Sequence, residues 1–562
     1  MQRTKQLSLY IKIFLFFYMI FFISACSVTM EHNTESHIRG SQLTASENDS
    51  VAEGIAKENN KSMKWYKENE WSYNRTDKHS TPKICLALSG GGIRSATFSI
   101  GVLKGLEEKG VLDKVDIISS VSGGSYAMSW YYVQQYKYGS QFTAENGLFS
   151  DSHLNGLSEK SSMYGYTLIG STFVGNLLMA PVNILLNGVF TGNVNTTSQR
   201  GMYENAIRRT FHTSVNEPFL SLNEMVMPTI SSNDMNTFIK TKNLPYYIIN
   251  STADIDDDRN HYKSKLRNSV FEFTPLRIGS DGFGYSEDTP YTIGQAVSIS
   301  GAAMDATEVP GRVNSLLSSA FNMDLGFYIE NYNEKSQDKR IAKKITPFPF
   351  YYLWLEDPHR RDNTAMDIYL TDGGHIENLG AYSLVRRSCD NIIIVDAEYD
   401  KEYEFEGYHT LKSALLSELQ VNMDVPGLIV KDSNKTKSEK ETKEAWKNKA
   451  DAVETGIIKN LITYNGSGDV AYKDINVTYI KLSINDALVT KDETKAKEFY
   501  GEDLVNYYKS SKNNDCGQWI QKCEFPQYTT TDQSYTPKQF KAYIDLGYSI
   551  VHNSEKIPNL NN

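Results

Sequence analysis

Positive charge is in deficit: 58 Lys and Arg stand against 68 Asp and Glu, a formal net charge of −10 at neutral pH. That balance argues against nucleic acid as a main partner and against adhesion to an anionic membrane by charge alone. Cysteine is sparse too, with five in 562 residues. No further Cys or His cluster lies near Cys516 and Cys523, which disfavours a zinc site there. No Gly-Lys-Ser/Thr serves a nucleotide, the glycines at 90–92 lack the spacing of a dinucleotide fingerprint, and no internal repeat is visible. The readings left by these absences need neither metal nor organic cofactor. What is present is 40% hydrophobic residues in a chain long enough for a large α/β domain with insertions.

Membrane contact has another source, at the N-terminus. Arg3, Lys5 and Lys12 precede the apolar run Ile13 to Ile23, which leads to Ser24-Ala25-Cys26, the pattern of an export signal. The run is short for a bilayer span, which disfavours a retained transmembrane anchor. Ile23-Ser24-Ala25-Cys26 resembles the lipobox of bacterial lipoproteins, which implies that residues 1–25 are a signal peptide and that Cys26 carries lipid. The expectation is an exported, membrane-anchored lipoprotein, with Ser27 resembling outer-membrane sorting if the source is Gram-negative. Export in turn makes a local disulfide between Cys516 and Cys523 plausible, seven apart in a polar segment. Cys85 and Cys389 sit in or beside apolar runs and read as ordinary buried thiols.

Residues 26–80 are polar and aperiodic, as a tether would be, with Trp65, Tyr66, Trp71 and Tyr73 packing its end onto the domain that follows. From Ile84 the pattern is α/β: the strand Ile84 to Leu88 runs into Ser89-Gly90-Gly91-Gly92-Ile93-Arg94 and a helix, and Val115 to Val121 runs into Ser122-Gly123-Gly124 and another. About 140–245 reads as an insertion, its apolar stretch Tyr166 to Phe190 broken by glycines, asparagines and Pro181, either a cap or buried helices. Further strands are expected at Tyr246–Asn250, Val270–Thr274, Ile368–Leu370 and Ile392–Asp396. The charged run Lys431 to Lys449 reads as a solvated helix or loop, and 401–562 as a C-terminal extension packed on a catalytic domain of residues 81–400.

Three motifs carry chemistry. Ser122 sits where a strand turns sharply into a helix, in Ser120-Val121-Ser122-Gly123-Gly124, which departs from G-x-S-x-G by Ser for the first Gly. Gly90, Gly91 and Gly92 allow consecutive backbone N–H groups to approach a developing oxyanion. Asp372, in Thr371-Asp372-Gly373-Gly374-His375, again follows a strand. His375 is a tempting alternative base, but three residues past Asp372 and after two glycines it reads better as structural. Asp396 and Asp400 read as solvent-facing or capping groups.

Taken in order, the triple glycine with Ile93-Arg94, the serine elbow about thirty residues on and the distant Asp-Gly-Gly resemble the patatin-like phospholipases. The resemblance covers roughly 81 to 400. It implies a three-layer α/β/α fold with a mostly parallel central sheet, Ser122 as nucleophile, Asp372 as its base and Gly90, Gly91 and Gly92 as oxyanion donors. Arg94 either faces a substrate phosphate or orders its loop by pairing with a carboxylate. The tract Gly294 to Ala303 also resembles bacterial members, without assigned chemistry. The activity implied is hydrolysis of fatty acyl esters of phospholipids or lysophospholipids, with membrane lipid as both substrate and anchor environment. The alternatives are a neutral-lipid or small-ester lipase, and a non-catalytic lipid-anchored envelope scaffold.

Overall fold

The computed structural model describes residues 61–75, 80–143, 146–161, 164, 199–215, 230–253, 269–289, 291–302, 327–331, 367–428, 439–449, 451–464, 470–513, 523–530 and 533–560. Cys26, Cys516 and the apolar stretch Tyr166 to Phe190 lie outside them. The strands, in chain order, are β1 (Ile84–Leu88), β2 (Ile117–Val121), β3 (Tyr246–Ala253), β4 (Val270–Phe273), β5 (Ile278–Ser280), β6 (Gly284–Ser286), β7 (Phe327–Glu330) and β8 (Asp367–Asp372). They continue with β9 (Asn391–Asp396), β10 (Asn422–Asp424), β11 (Val453–Tyr464) and β12 (Val470–Lys481). The helices that matter to the site are α1 (Gly92–Glu108), α2 (Gly123–Tyr138), α3 (Asp151–Ser161), α4 (Gln199–Phe211), α5 (Ser232–Lys242), α6 (Ile293–Ser300), α7 (Tyr382–Arg386) and α8 (Pro537–Asn553).

One mixed sheet runs β10-β11-β12-β9-β1-β2-β3-β4-β5-β6, with β8 on β3 and β7 on β8. Its centre, β12 through β3, is parallel. Side chains alternate across a strand, yet β2 and β3 are buried at every position, so helices cover both faces. This is the three-layer α/β/α architecture, and it explains why β1, β2 and β9 read as apolar runs instead of alternating patterns. Successive parallel strands need helical crossovers, and their turns at one sheet edge are where Ser89 to Gly92 and Ser122 to Gly124 fall.

Residues 401–562 do more than pack against a finished domain. β12 pairs directly with β9, Asn476 beside Asn391, so the C-terminal region supplies three strands of the same sheet. α8 then covers α1, and Lys109 at the end of α1 donates to the carbonyls of Ser554 and Ile557 at 2.6 and 2.9 Å. A hairpin strand that reads as peripheral in sequence gains its place only from β9, a partner far back along the chain. The N-terminal boundary shifts as well. Glu70, within the segment read as tether, is buried and takes two hydrogen bonds from Arg387, which also holds Glu272. The described helices of the 140–245 insertion bury Leu154, Leu157, Ala206, Ile207 and Phe211 in the common core.

Cys85 and Cys389 are not free thiols: they form a disulfide, with Cα atoms 6.2 Å apart, between residues separated by 304 positions. The pairing of β1 with β9 sets Cys85 opposite Ile392, which brings Cys389 within reach. Cys523 is also disulfide-bonded.

Candidate active site

β2 ends at Val121, and the chain reverses into α2 through Ser122 at φ 48°, ψ −119°. A positive φ on a non-glycine residue costs about 1–3 kcal/mol and persists only where its surroundings hold it. The strain puts the Ser122 side chain at the sheet edge. Gly123 is required here by contact: a Cβ on it would lie 2.1 Å from the Gly92 carbonyl oxygen. The serine elbow and the glycine loop after β1 therefore touch through their backbones.

Asp372 arrives from the opposite direction. β8 runs antiparallel to β3, with Asp372 beside Ser251, and Thr252 Oγ1 donates to the Asp372 carbonyl at 2.7 Å. The Ser122 hydroxyl donates to Asp372 Oδ2 at 2.8 Å, and the Gly374 N–H donates to Oδ1 at 2.7 Å. Both side chains are nearly closed to solvent, Ser122 at 5% and Asp372 at 3% exposure. Burial raises the Asp372 pKa above the usual carboxylate value, opposed by the His375 ring, the Gly374 amide and the Ser122 hydroxyl. A carboxylate so placed is a stronger base than one in water.

His375 is exposed on the rim, and among the described residues no hydrogen bond joins it to Ser122. The glycine loop divides in role. Gly90 has spent its N–H on the Asn378 carbonyl at 2.8 Å, which removes it from the expected set of oxyanion donors. Gly91, at φ 134°, lines the cleft, and Gly92 and Gly123 open α1 and α2, where helix N–H groups have no intrahelical acceptor. Among the described residues the amides of Gly91, Gly92 and Gly123 make no hydrogen bond. Gly123 was not singled out from sequence, although the residue after an elbow nucleophile is a recurrent oxyanion donor.

Among the described residues Arg94 pairs with no carboxylate. Its Nε donates to the Ala397 carbonyl at 3.0 Å, Nη1 to the Tyr528 carbonyl and Nη2 to Thr530 Oγ1 at 3.2 Å, so it ties the glycine loop to the C-terminal region. Asp396 and Asp400 are buried, not solvent-facing, and flank Lys481 at 2.7 and 3.0 Å. Beside them Glu398, pushed up to about 7 by burial and by Asp396, accepts from Asn378 Nδ2 at 2.6 Å. The result is a cleft of about 140 Å³ lined by Gly91, Arg94, Ser122, Asp372, Gly374, His375, Asn378, Tyr399 and Thr530. Asn378 was within reach of sequence reasoning as part of the Asp-Gly-Gly tract. Tyr399 and Thr530 carried no local signal, because only the β12–β9 pairing brings their segments together.

The strand-to-helix elbow at Ser122, the carboxylate on its hydroxyl and the glycine loop beside them thus share one cleft at the sheet edge. Residues 86–254 match the family model of patatin-like phospholipases, so a patatin-like phospholipase domain is present. Lysophospholipase 2 of Candida albicans is 23% identical over 369 residues, covering 60% of this chain and 56% of that protein. The chain thus spans just over half the length of this curated relative. Human GIVD cytosolic phospholipase A2 aligns at 15% identity with a TM-score of 0.49, over 92% of this chain and 64% of that one. VipD from Legionella pneumophila aligns at 11% identity with a TM-score of 0.21, over 60% and 55% of the two chains.

Proposed function

We propose that this protein is a lipid acyl hydrolase that cleaves fatty acyl esters of phospholipids or lysophospholipids through a Ser122–Asp372 dyad. The observation that carries the reading is the 2.8 Å hydrogen bond from Ser122 Oγ to Asp372 Oδ2 at a strained elbow. Ser122 Oγ attacks the ester carbonyl carbon as Asp372 takes its proton. The carbonyl oxygen becomes an oxyanion facing the amides of Gly91, Gly92 and Gly123. Collapse breaks the bond to the leaving alcohol, which receives the proton from Asp372 and departs, leaving an acyl-serine. Water then attacks the acyl carbon, gives a proton to Asp372, and releases the fatty acid as that proton returns to Ser122.

The patatin-like domain and the lysophospholipase relative support a phospholipid or lysophospholipid substrate. The positive charge of Arg94 beside the cleft is compatible in sign with an anionic head group, although its guanidinium nitrogens already donate to Ala397, Tyr528 and Thr530. In this reading the mature chain starts at lipidated Cys26 in the bacterial envelope. The buried Cys85–Cys389 disulfide supports passage through an oxidising compartment.

The test is covalent labelling with a fluorophosphonate followed by peptide mapping, then hydrolysis of a panel of phospholipid, lysophospholipid, triacylglycerol and short-chain ester. Label on Ser122 and release of fatty acid from the phospholipids support the proposal. An unlabelled Ser122 in folded protein returns the chain to the scaffold alternative, and turnover confined to neutral esters to the lipase one.

A further inference from the structure

Ser300 closes α6, in the tract that sequence comparison marked without giving it chemistry. It is wholly buried, and the Ser122 N–H donates to its Oγ at 2.8 Å. The same Oγ donates to the Asn250 carbonyl at 2.6 Å and lies 3.2 Å from Ser125 Oγ. A hydroxyl has one hydrogen and two lone pairs. With the hydrogen committed to Asn250, the lone pairs face Ser122 and Ser125, so Ser125 must donate to Ser300. Ser120 Oγ, 3.0 Å from Ser125 Oγ, stands at the position where the elbow pattern departs from glycine. The departure thus supplies a hydroxyl to a buried chain running Ser120, Ser125, Ser300 beneath the elbow.

The link matters because of what lies at its other end. Asn250 belongs to β3, whose next residues hold β8: Ser251 stands beside Asp372 and donates through Oγ to the Thr371 carbonyl at 2.6 Å. Asn250 also grips the strand before the nucleophile, its Nδ2 donating to Ser119 Oγ at 2.8 Å and to the Ser120 carbonyl at 3.0 Å. The Ser300 hydroxyl is therefore a one-atom link between the backbone of Ser122 and β3, the strand against which β8 and its Asp372 are paired. It gives an acceptor to the one N–H that the positive φ of Ser122 turns into the protein interior.

We infer that Ser300 is a positioning residue for the nucleophile, holding the Ser122 amide so that its Oγ stays within hydrogen-bond reach of Asp372. The inference rests on the reading of Ser122 as nucleophile. Without the acceptor, a buried N–H loses its partner and the elbow relaxes toward ordinary φ, moving Oγ off the carboxylate. An ångström of such misplacement is worth on the order of 10²-fold in rate.

The test measures, for wild type, Ser300→Ala and Ser300→Thr, the second-order rate of fluorophosphonate labelling, its stoichiometry at completion, and kcat and KM on a soluble ester. Ser300→Ala should label to the same final stoichiometry about 10- to 100-fold more slowly, with kcat reduced and KM nearly unchanged. Ser300→Thr, which keeps the hydroxyl, should recover most of the rate. A merely structural role would lower the folded fraction and the stoichiometry while leaving the rate per reactive site intact, and that result overturns the inference. Should Ser300→Ala not fold, Ser300→Cys takes its place as a side chain of similar size and weak acceptor strength. Equal rates for Cys and Thr then overturn the inference, and a slower Cys variant supports it. Wild-type protein that never labels at Ser122 sinks the hydrolase reading itself, an outcome distinct from a labelled wild type matched by Ser300→Ala.

Discussion

Lys481 on β12 donates to Asp396 at the end of β9 across 2.7 Å, with both side chains wholly out of solvent. Asp400 lies on the other side of the same ammonium at 3.0 Å. Burial disfavours the charged lysine, but the carboxylates outweigh it and its pKa is raised. Removing the cation leaves buried carboxylates uncompensated, which typically costs about 3–5 kcal/mol. Lys481→Ala should therefore shift the denaturant midpoint strongly downward, and a chain ended after residue 400 should fail to yield a cooperative unfolding transition. A stable, cooperatively folding 81–400 fragment would show that the sheet is complete without its C-terminal strands.

Ser122→Ala and Asp372→Asn should each abolish ester hydrolysis with the fold retained. Asn preserves size and much of the hydrogen bonding but cannot accept the proton, a role worth about 10²- to 10⁴-fold. His375→Ala should keep most of the plateau rate. Steady-state kinetics on the three variants, with circular dichroism to check the fold, decides between a dyad and a histidine-based mechanism. The histidine mechanism wins if His375→Ala is as damaging as Ser122→Ala while Asp372→Asn stays active.

The pH profile carries a separate signature. Asp372 must be ionised to accept a proton, and burial raises its pKa above 3.8, so activity should fall on the acid side through a value higher than an ordinary aspartate gives. The His375 ring opposes that rise, favouring the carboxylate. Its removal should therefore move the acid limb to higher pH without lowering the plateau. A limb that moves to lower pH in His375→Ala contradicts the assigned sign.

Cys85 and Cys389 are both buried and close a loop spanning 304 positions. A cross-link of that reach restricts the unfolded chain, and replacing both cysteines by alanine should lower stability by about 2–5 kcal/mol. Calorimetry of the double variant measures it. Mild reductant should leave the native wild type unchanged, because neither sulfur is accessible until the sheet opens.

The elbow, the glycine loop and the Asp-Gly-Gly turn were legible in the sequence because each is a local event: a strand, a turn that glycine permits, a helix start. Long-range register was not legible. Nothing near Cys85 indicates that Cys389 will arrive beside it, so two apolar neighbourhoods suggested free thiols. Arg94 bonds the carbonyls of Ala397 and Tyr528, 303 and 434 positions away, partners that nothing near it in sequence announces. Gly90 resembled its two neighbours in sequence, yet only its amide meets the Asn378 carbonyl. The partners of Cys85, Gly90 and Arg94 all come from distant segments, whereas the elbow and the glycine turns are set by their own local sequence.

The placement of β12 also sets an order of events during synthesis. β9 is made before β12 and, once paired with β1, presents its other edge, Ile392 to Val395, with open backbone groups. Such an edge is a template for pairing with another chain. It stays open until about eighty further residues have been made. Premature release of the chain before Val470 therefore exposes an adhesive strand where the finished protein has the middle of a sheet.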